Sequence, residues 1–116
     1  PYNLKKNQIA YVGTHDNQTV MGWTKELSSE ALTFCKEYIR YREGDDFNWA
    51  MIKELMATVC DTAIVQAQDL LGLDENARMN APSTVGRNWQ WMAEDGCFTD
   101  EIKEKLKELT HTYGRA

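Results

Sequence analysis

Apolar positions along the chain fall into two kinds of run. Gln8-Ile9-Ala10-Tyr11-Val12 and Thr62-Ala63-Ile64-Val65-Gln66-Ala67 are short and nearly continuous. The first is rich in strand formers and gives way at once to the polar cluster Gly13-Thr14-His15-Asp16-Asn17. A buried parallel strand ends in a loop in this way. For the second run, periodicity alone does not separate strand from buried helix. Asp61 and Thr62 before it, and the pair Ile64-Val65, favour strand. It too opens into a polar loop, beginning with Gln68-Asp69.

The other runs have helical spacing. A short helix is expected within residues 19–27. Ser28 or Ser29 can cap the next one, with Glu30 in its first turn. There Ala31, Leu32, Cys35, Tyr38 and Ile39 recur at three- and four-residue steps, so one face is apolar. Glu43-Gly44-Asp45-Asp46 stops it. Asn48 is the expected cap of a third helix, with Phe47 as a staple against Ile52. Met51, Ile52, Leu55, Met56 and Val59 form its stripe. Leu70-Leu71-Gly72-Leu73 reads as one helical turn stopped by glycine. Residues 75–98 show little periodicity, and a loop of that length in a compact domain is usually either functional or evidence against the assignment. Thr99 then caps a last helix, with Asp100 and Glu101 complementing its N-terminal dipole. Ile102, Leu106, Leu109 and Tyr113 make its stripe, and Gly114 follows as C-cap.

Two parallel strands joined by a helical crossover make a βαβ unit. Two strands alone make a poor sheet with both edges open. The order of elements therefore resembles the last part of a larger α/β sheet or barrel. The chain has 116 residues, one domain at most, and opens on Pro1 rather than Met. The expectation is a single piece, residues 1–116, processed or cut from something longer.

Charge and cysteines narrow the partners. The net charge of −5, with no basic cluster beyond the Glu-interleaved Lys103, Lys105 and Lys107, disfavours nucleic acid. No apolar run approaches the roughly 18 residues of a membrane span, so no membrane partner is expected. Cys35, Cys60 and Cys97 are odd in number and widely spaced. No cysteine or histidine pair has zinc-site spacing, so no metal and no cofactor are expected. Reduced thiols in a cytoplasmic protein are the simpler reading.

The candidate chemistry lies beyond the two strands. His15-Asp16 sets an imidazole beside a carboxylate directly off a strand end. Trp89 and Trp91, with Arg78, Asn80 and Asn88 nearby, offer flat apolar faces beside planar hydrogen-bonding groups. Sugars need that mixture, stacking for the CH face and amides or guanidinium for vicinal hydroxyls. Taken alone, the tryptophans would fit core packing better, and the polar cluster a mere turn.

The residues resemble a known signature. Tyr11-Val12-Gly13-Thr14-His15-Asp16-Asn17-Gln18-Thr19 with Gly22-Trp23 is similar to the signature of the 4-α-glucanotransferases of glycoside hydrolase family 77, also called amylomaltases or disproportionating enzymes. Asp69-Leu70-Leu71-Gly72-Leu73, Ala77-Arg78-Met79-Asn80-Ala81-Pro82-Ser83-Thr84 and Asn88-Trp89-Gln90-Trp91 resemble the same family's closing block, in the same order. Met92 departs from the basic residue often found after that block.

The resemblance implies an α/β fold, the C-terminal part of a (β/α)8 barrel with about its seventh and eighth strands, mostly helical as an isolated fragment. It implies a retaining enzyme that passes α-1,4-glucan segments to the 4-hydroxyl of glucose or another glucan. Asp16 matches the family's transition-state-stabilising carboxylate and His15 the histidine beside it. Asn80 falls where the family contacts the donor glucan. For Arg78, Asn88 and Trp89 a glucan contact and a loop-shaping role both stay open. The family's nucleophilic Asp and acid/base Glu come from earlier barrel strands, and no carboxylate here substitutes for them. Asp61 precedes its strand, and Asp69 is not matched to the nucleophile. The expectation is thus a maltooligosaccharide-binding fragment of a roughly 500-residue type of enzyme, larger than a bare barrel of about 250 residues. Alone it should be inactive and prone to self-association. The alternative is a small non-catalytic module that binds glucan or a protein.

Overall fold

The computed structural model describes all residues from Pro1 to Ala116. Its order is β1 (Ile9–Tyr11), α1 (Val20–Glu26), α2 (Ser29–Tyr38), α3 (Phe47–Met56), β2 (Thr62–Ile64), α4 (Ala67–Leu70) and α5 (Asp100–Thr112). A single 3-10 turn, Glu75–Ala77, interrupts the long stretch before α5. The fold is α/β and mostly helical.

The strands pair in parallel, with Ile9 opposite Thr62, Ala10 opposite Ala63 and Tyr11 opposite Ile64. They are the whole sheet. Alternation along a strand sends Ala10 inward, where it packs with Leu55 of α3 and with Cys60. Ile9, Tyr11 and Ile64 point the other way and stay about half exposed. A parallel sheet is ordinarily covered on both faces, so this one carries an uncovered apolar side. A second cluster joins Val20 of α1 to Ile39 and Phe47.

Local signals explain the helix starts. Thr19, Ser28 and Thr99 each accept a hydrogen bond from a backbone amide of the first turn. The stripe of α3 is buried at Ile52, Leu55 and Met56, whereas Val59 lies beyond the helix and is exposed. No residue of α2 is fully buried, but Leu32 and Cys35 pack half-buried against this second cluster, and the C-cap Ile39 is buried within it. Along α5 the stripe is half-buried. The three cysteines are free, Cys60 buried and the other two half-buried. No helix is long and apolar enough to cross a membrane.

Besides Val59, the helical turn expected at Leu70–Leu73 is displaced to Ala67–Leu70, and two further expectations fail. Asn48 is not a cap: α3 starts one residue earlier, with Asp46 in the capping position and no side-chain cap bond. The Asn48 amide is buried and donates instead to the Asp69 carbonyl oxygen at 2.7 Å. Gln68-Asp69 is not a polar loop either. Both residues lie in α4 and are buried. Gly72 ends this turn with φ +65°, and a Cβ there would press on the Asn48 amide at 3.3 Å.

Just past α5, one side chain anchors the end of the chain. Arg115 donates from Nε to the Met56 carbonyl (2.8 Å), from Nη1 to that of Cys60 (2.9 Å) and from Nη2 to that of Thr58 (2.8 Å). The guanidinium fork thereby satisfies carbonyls left free between α3 and β2. Replacing it leaves three acceptors with no charged donor. Arg115→Ala should cost about 2 kcal/mol of stability, read as a lower urea midpoint.

Candidate functional site

Parallel pairing puts the C-terminal ends of β1 and β2 at one end of the sheet. The segment after β1, residues 12–19, forms a tight turn. The Thr14 amide and hydroxyl both donate to Asn17 Oδ1, and the Asn17 amide donates to the Thr14 carbonyl. His15 and Asp16 ride on this turn with side chains 56% and 49% exposed, His15 Nε2 lying 3.5 Å from Asp16 Oδ1.

The stretch after β2 reaches across to meet them. Asn80 Nδ2 donates to Asp16 Oδ1 at 2.6 Å, and the Asn80 amide donates to the His15 carbonyl at 3.1 Å. Arg78 donates from Nη2 to the Asp16 carbonyl (2.8 Å) and from Nε to the Asn80 carbonyl (3.0 Å). Its guanidinium is a clamp between the two segments. The Trp89 indole lies against His15, with ring centroids 4.9 Å apart.

Asn88 braces the loop that delivers Trp89. Its Oδ1 accepts from the Ala81 amide, and its Nδ2 donates to the carbonyl and hydroxyl oxygens of Thr84. Ser83, Arg87 and Trp89 all adopt positive φ, 64°, 43° and 61°, a conformation rare for residues with a Cβ. Such strain persists only where surrounding contacts over-determine it. Here the Asn88 brace and the bond from the Trp89 amide to the Met79 carbonyl (2.6 Å) supply those contacts. Thus His15, Asp16, Arg78, Asn80 and Trp89 gather at one spot, with Asn88 behind them. Trp91 is half-buried and Met92 exposed.

Bonded to the end of the 12–19 segment is a carboxylate expected in a loop and found in α4. Asp69 is 1% exposed. Its Oδ1 accepts from the Val20 amide at 2.8 Å, and Gln66 Nε2 reaches Oδ2 at 3.5 Å. The only signal in the sequence was a carboxylate set between Ala67 and Leu70-Leu71. Burial pushes its pKa up, against the lowering effect of those hydrogen bonds.

A family model described as 4-alpha-glucanotransferase, for glycoside hydrolase family 77, matches residues 1–99. The chain belongs to this 4-alpha-glucanotransferase family. A 4-alpha-glucanotransferase of Clostridium butyricum is 43% identical over 99% of the chain, which spans 24% of that relative. The chloroplastic or amyloplastic 4-alpha-glucanotransferase of Arabidopsis thaliana is 36% identical over 99% of the chain and 20% of its own length. Among solved structures, an amylomaltase from Streptococcus agalactiae in complex with acarbose superposes with a TM-score of 0.97 at 40% identity, over 100% of this chain and 23% of the other. The chain therefore spans about a quarter or less of the family members it matches.

The buried carboxylate makes a pH prediction. A raised pKa means that the folded chain holds the proton more tightly than the unfolded chain does. The contribution of Asp69 to stability is then fullest below its ordinary value of 3.8 and is lost as pH rises through the raised one. Asp69→Asn keeps an acceptor for Val20 and removes the titration. Urea unfolding at pH 4 and pH 7 should show the variant gaining on the parent as pH rises; a constant difference contradicts it.

Proposed function

We propose that this chain is the C-terminal part of a (β/α)8-barrel 4-alpha-glucanotransferase, with β1 and β2 as about the seventh and eighth barrel strands. It supplies the donor-sugar side of the active site. The observation that carries this reading is the Asp16–Asn80 contact beside His15 and Trp89, at the shared C-terminal end of two parallel strands. In barrels of this kind that end is the catalytic face.

The chemistry follows from the charge that develops at the sugar. Retaining transfer passes through an oxocarbenium-like state between a nucleophile and an acid/base roughly 5 Å apart. Those two carboxylates belong to other strands of the barrel. Asp16 is a third, held in a fixed orientation by Asn80, and it binds hydroxyls of the distorted donor ring. A carboxylate oriented before the reaction needs little reorganisation as positive charge grows. His15 hydrogen-bonds the same ring. Trp89 backs His15 and offers its exposed face to the glucan. Arg78 and Asn88 spend their polar atoms within the protein, which favours loop shaping over sugar contact for both. The substrate is an α-1,4-glucan or maltooligosaccharide. Transfer instead of hydrolysis requires that water be kept from the covalent intermediate until an acceptor binds.

In the full-length enzyme carrying this segment, Asp16→Asn should lower kcat for maltotriose disproportionation at least about 100-fold. KM should change far less, because the lost charge acts mainly in the transition state. A kcat within threefold of the parent would exclude this role. The 116-residue chain alone lacks two carboxylates and leaves both sheet edges open. One preparation tests both consequences: no glucose released from maltotriose, and sedimentation above the 13.4 kDa of one chain. Turnover by the pure chain, or a clean monomer at high concentration, would count against the proposal.

A further inference from the structure

Asp69 makes no hydrogen bond to His15, Asp16, Arg78, Asn80 or Trp89, and the reaction outlined above does not use it. It is nonetheless a nearly inaccessible carboxylate with no cation beside it: no ion pair includes it. Burying such a group is costly unless its hydrogen bonds are made. Its short bond goes to the exit of the segment that carries His15 and Asp16. Oδ1 takes the Val20 amide, the first residue of α1, at 2.8 Å. Val20 follows directly on the segment that carries His15 and Asp16. At the other end of that segment, Gly13 lies so close to Gln66 that an added Cβ would sit 3.0 Å from Nε2. Gln66 itself reaches Asp69. The Asp69 backbone is pinned in turn by Asn48, which donates to its carbonyl from α3.

We infer that Asp69 is a positioning residue for Asp16: its buried carboxylate fixes the exit of the 13–19 segment through the Val20 amide and so sets where the Asp16 carboxylate stands. The inference rests on the proposed role of Asp16. A misplaced Asp16 would still leave most of the glucan contacts intact. Misplacement by even about 1 Å is costly in a reaction that depends on orientation. The loss therefore falls on kcat rather than on KM.

The test uses three variants in the full-length enzyme. Asp69→Ala removes the acceptor. Asp69→Asn keeps an oxygen for Val20. Val20→Pro removes the donor, at a first helical position that tolerates proline and after a Thr19 already extended at φ −61° and ψ 156°. Assays run well below each variant's unfolding temperature. Asp69→Ala and Val20→Pro should each lower kcat about tenfold or more with KM within about threefold. Asp69→Asn should keep most of kcat, and the Asp69→Ala, Val20→Pro pair should be little worse than either alone. If Asp69→Ala does not fold, Val20→Pro and Asp69→Asn carry the test. A lower melting temperature with kcat within twofold, or an Asn variant as impaired as Ala, overturns the inference. Hydrogen exchange over residues 13–20 separates its failure from that of the functional reading. A parent that protects this segment but does not disproportionate maltotriose removes the proposed function, and the catalytic part of the inference with it. A parent whose segment exchanges as fast as in Asp69→Ala refutes the positioning contact whatever the activity.

Discussion

Everything at the candidate site depends on the parallel pairing of two three-residue strands. Pairing in this sense brings the ends of β1 and β2 to one edge, although the crossover between them takes three helices. Antiparallel pairing would send the two following loops to opposite ends, and Asn80 could not reach Asp16 across 64 residues of sequence. Parallel pairs are slightly weaker per residue than antiparallel ones. Besides its own ladder, this pair is held by Ala10 packing on Leu55 and Cys60, and by Arg115 fixing the carbonyls between α3 and β2.

Above the sheet the structure builds a polar surface on a polar support. Asp16 and Asn80 face outward, and Arg78 clamps their backbones. Beneath them Asp69 and Asn48 satisfy one another's neighbourhood through the Val20 amide and the Asp69 carbonyl. No buried side-chain nitrogen or oxygen is left without a partner. A fully satisfied polar layer of this kind rigidifies what it supports. Gly22 belongs to the same arrangement, because Gln18 folds over it so closely that a Cβ would meet the side chain at 2.6 Å. Gln18 in turn accepts from the Thr19 amide and donates to Glu26 across α1.

What the sequence made legible was local. Ser28 and Thr99 announce their helices because a capping oxygen bonds an amide three residues on, and Thr19 does the same for α1 although it was expected inside that helix. The α3 stripe was legible because Ile52, Leu55 and Met56 repeat at helical spacing. The order of strand, helices and strand followed from two short, nearly continuous apolar runs on either side of segments with helical spacing. Asn48 was misread because its amide answers to Asp69, 21 residues away, and not to its own helix end. Gln68 and Asp69 were misread because a four-residue helix is too short to show a period. The gathering of His15, Asp16, Arg78, Asn80 and Trp89 was suggested by the family resemblance, while residue spacing alone could not pair positions so far apart. The bracing role of Asn88 needed the loop's backbone, where Trp89 is held at positive φ.

The most direct test of the central claim is a structure of the full-length enzyme with a bound maltooligosaccharide. The account predicts a donor ring with two of its hydroxyls within hydrogen-bond distance of the Asp16 carboxylate, and with Asn80 and His15 touching the same sugar. A glucan bound at another surface, with the Asp16–Asn80 contact closed and no sugar beside either residue, would contradict it.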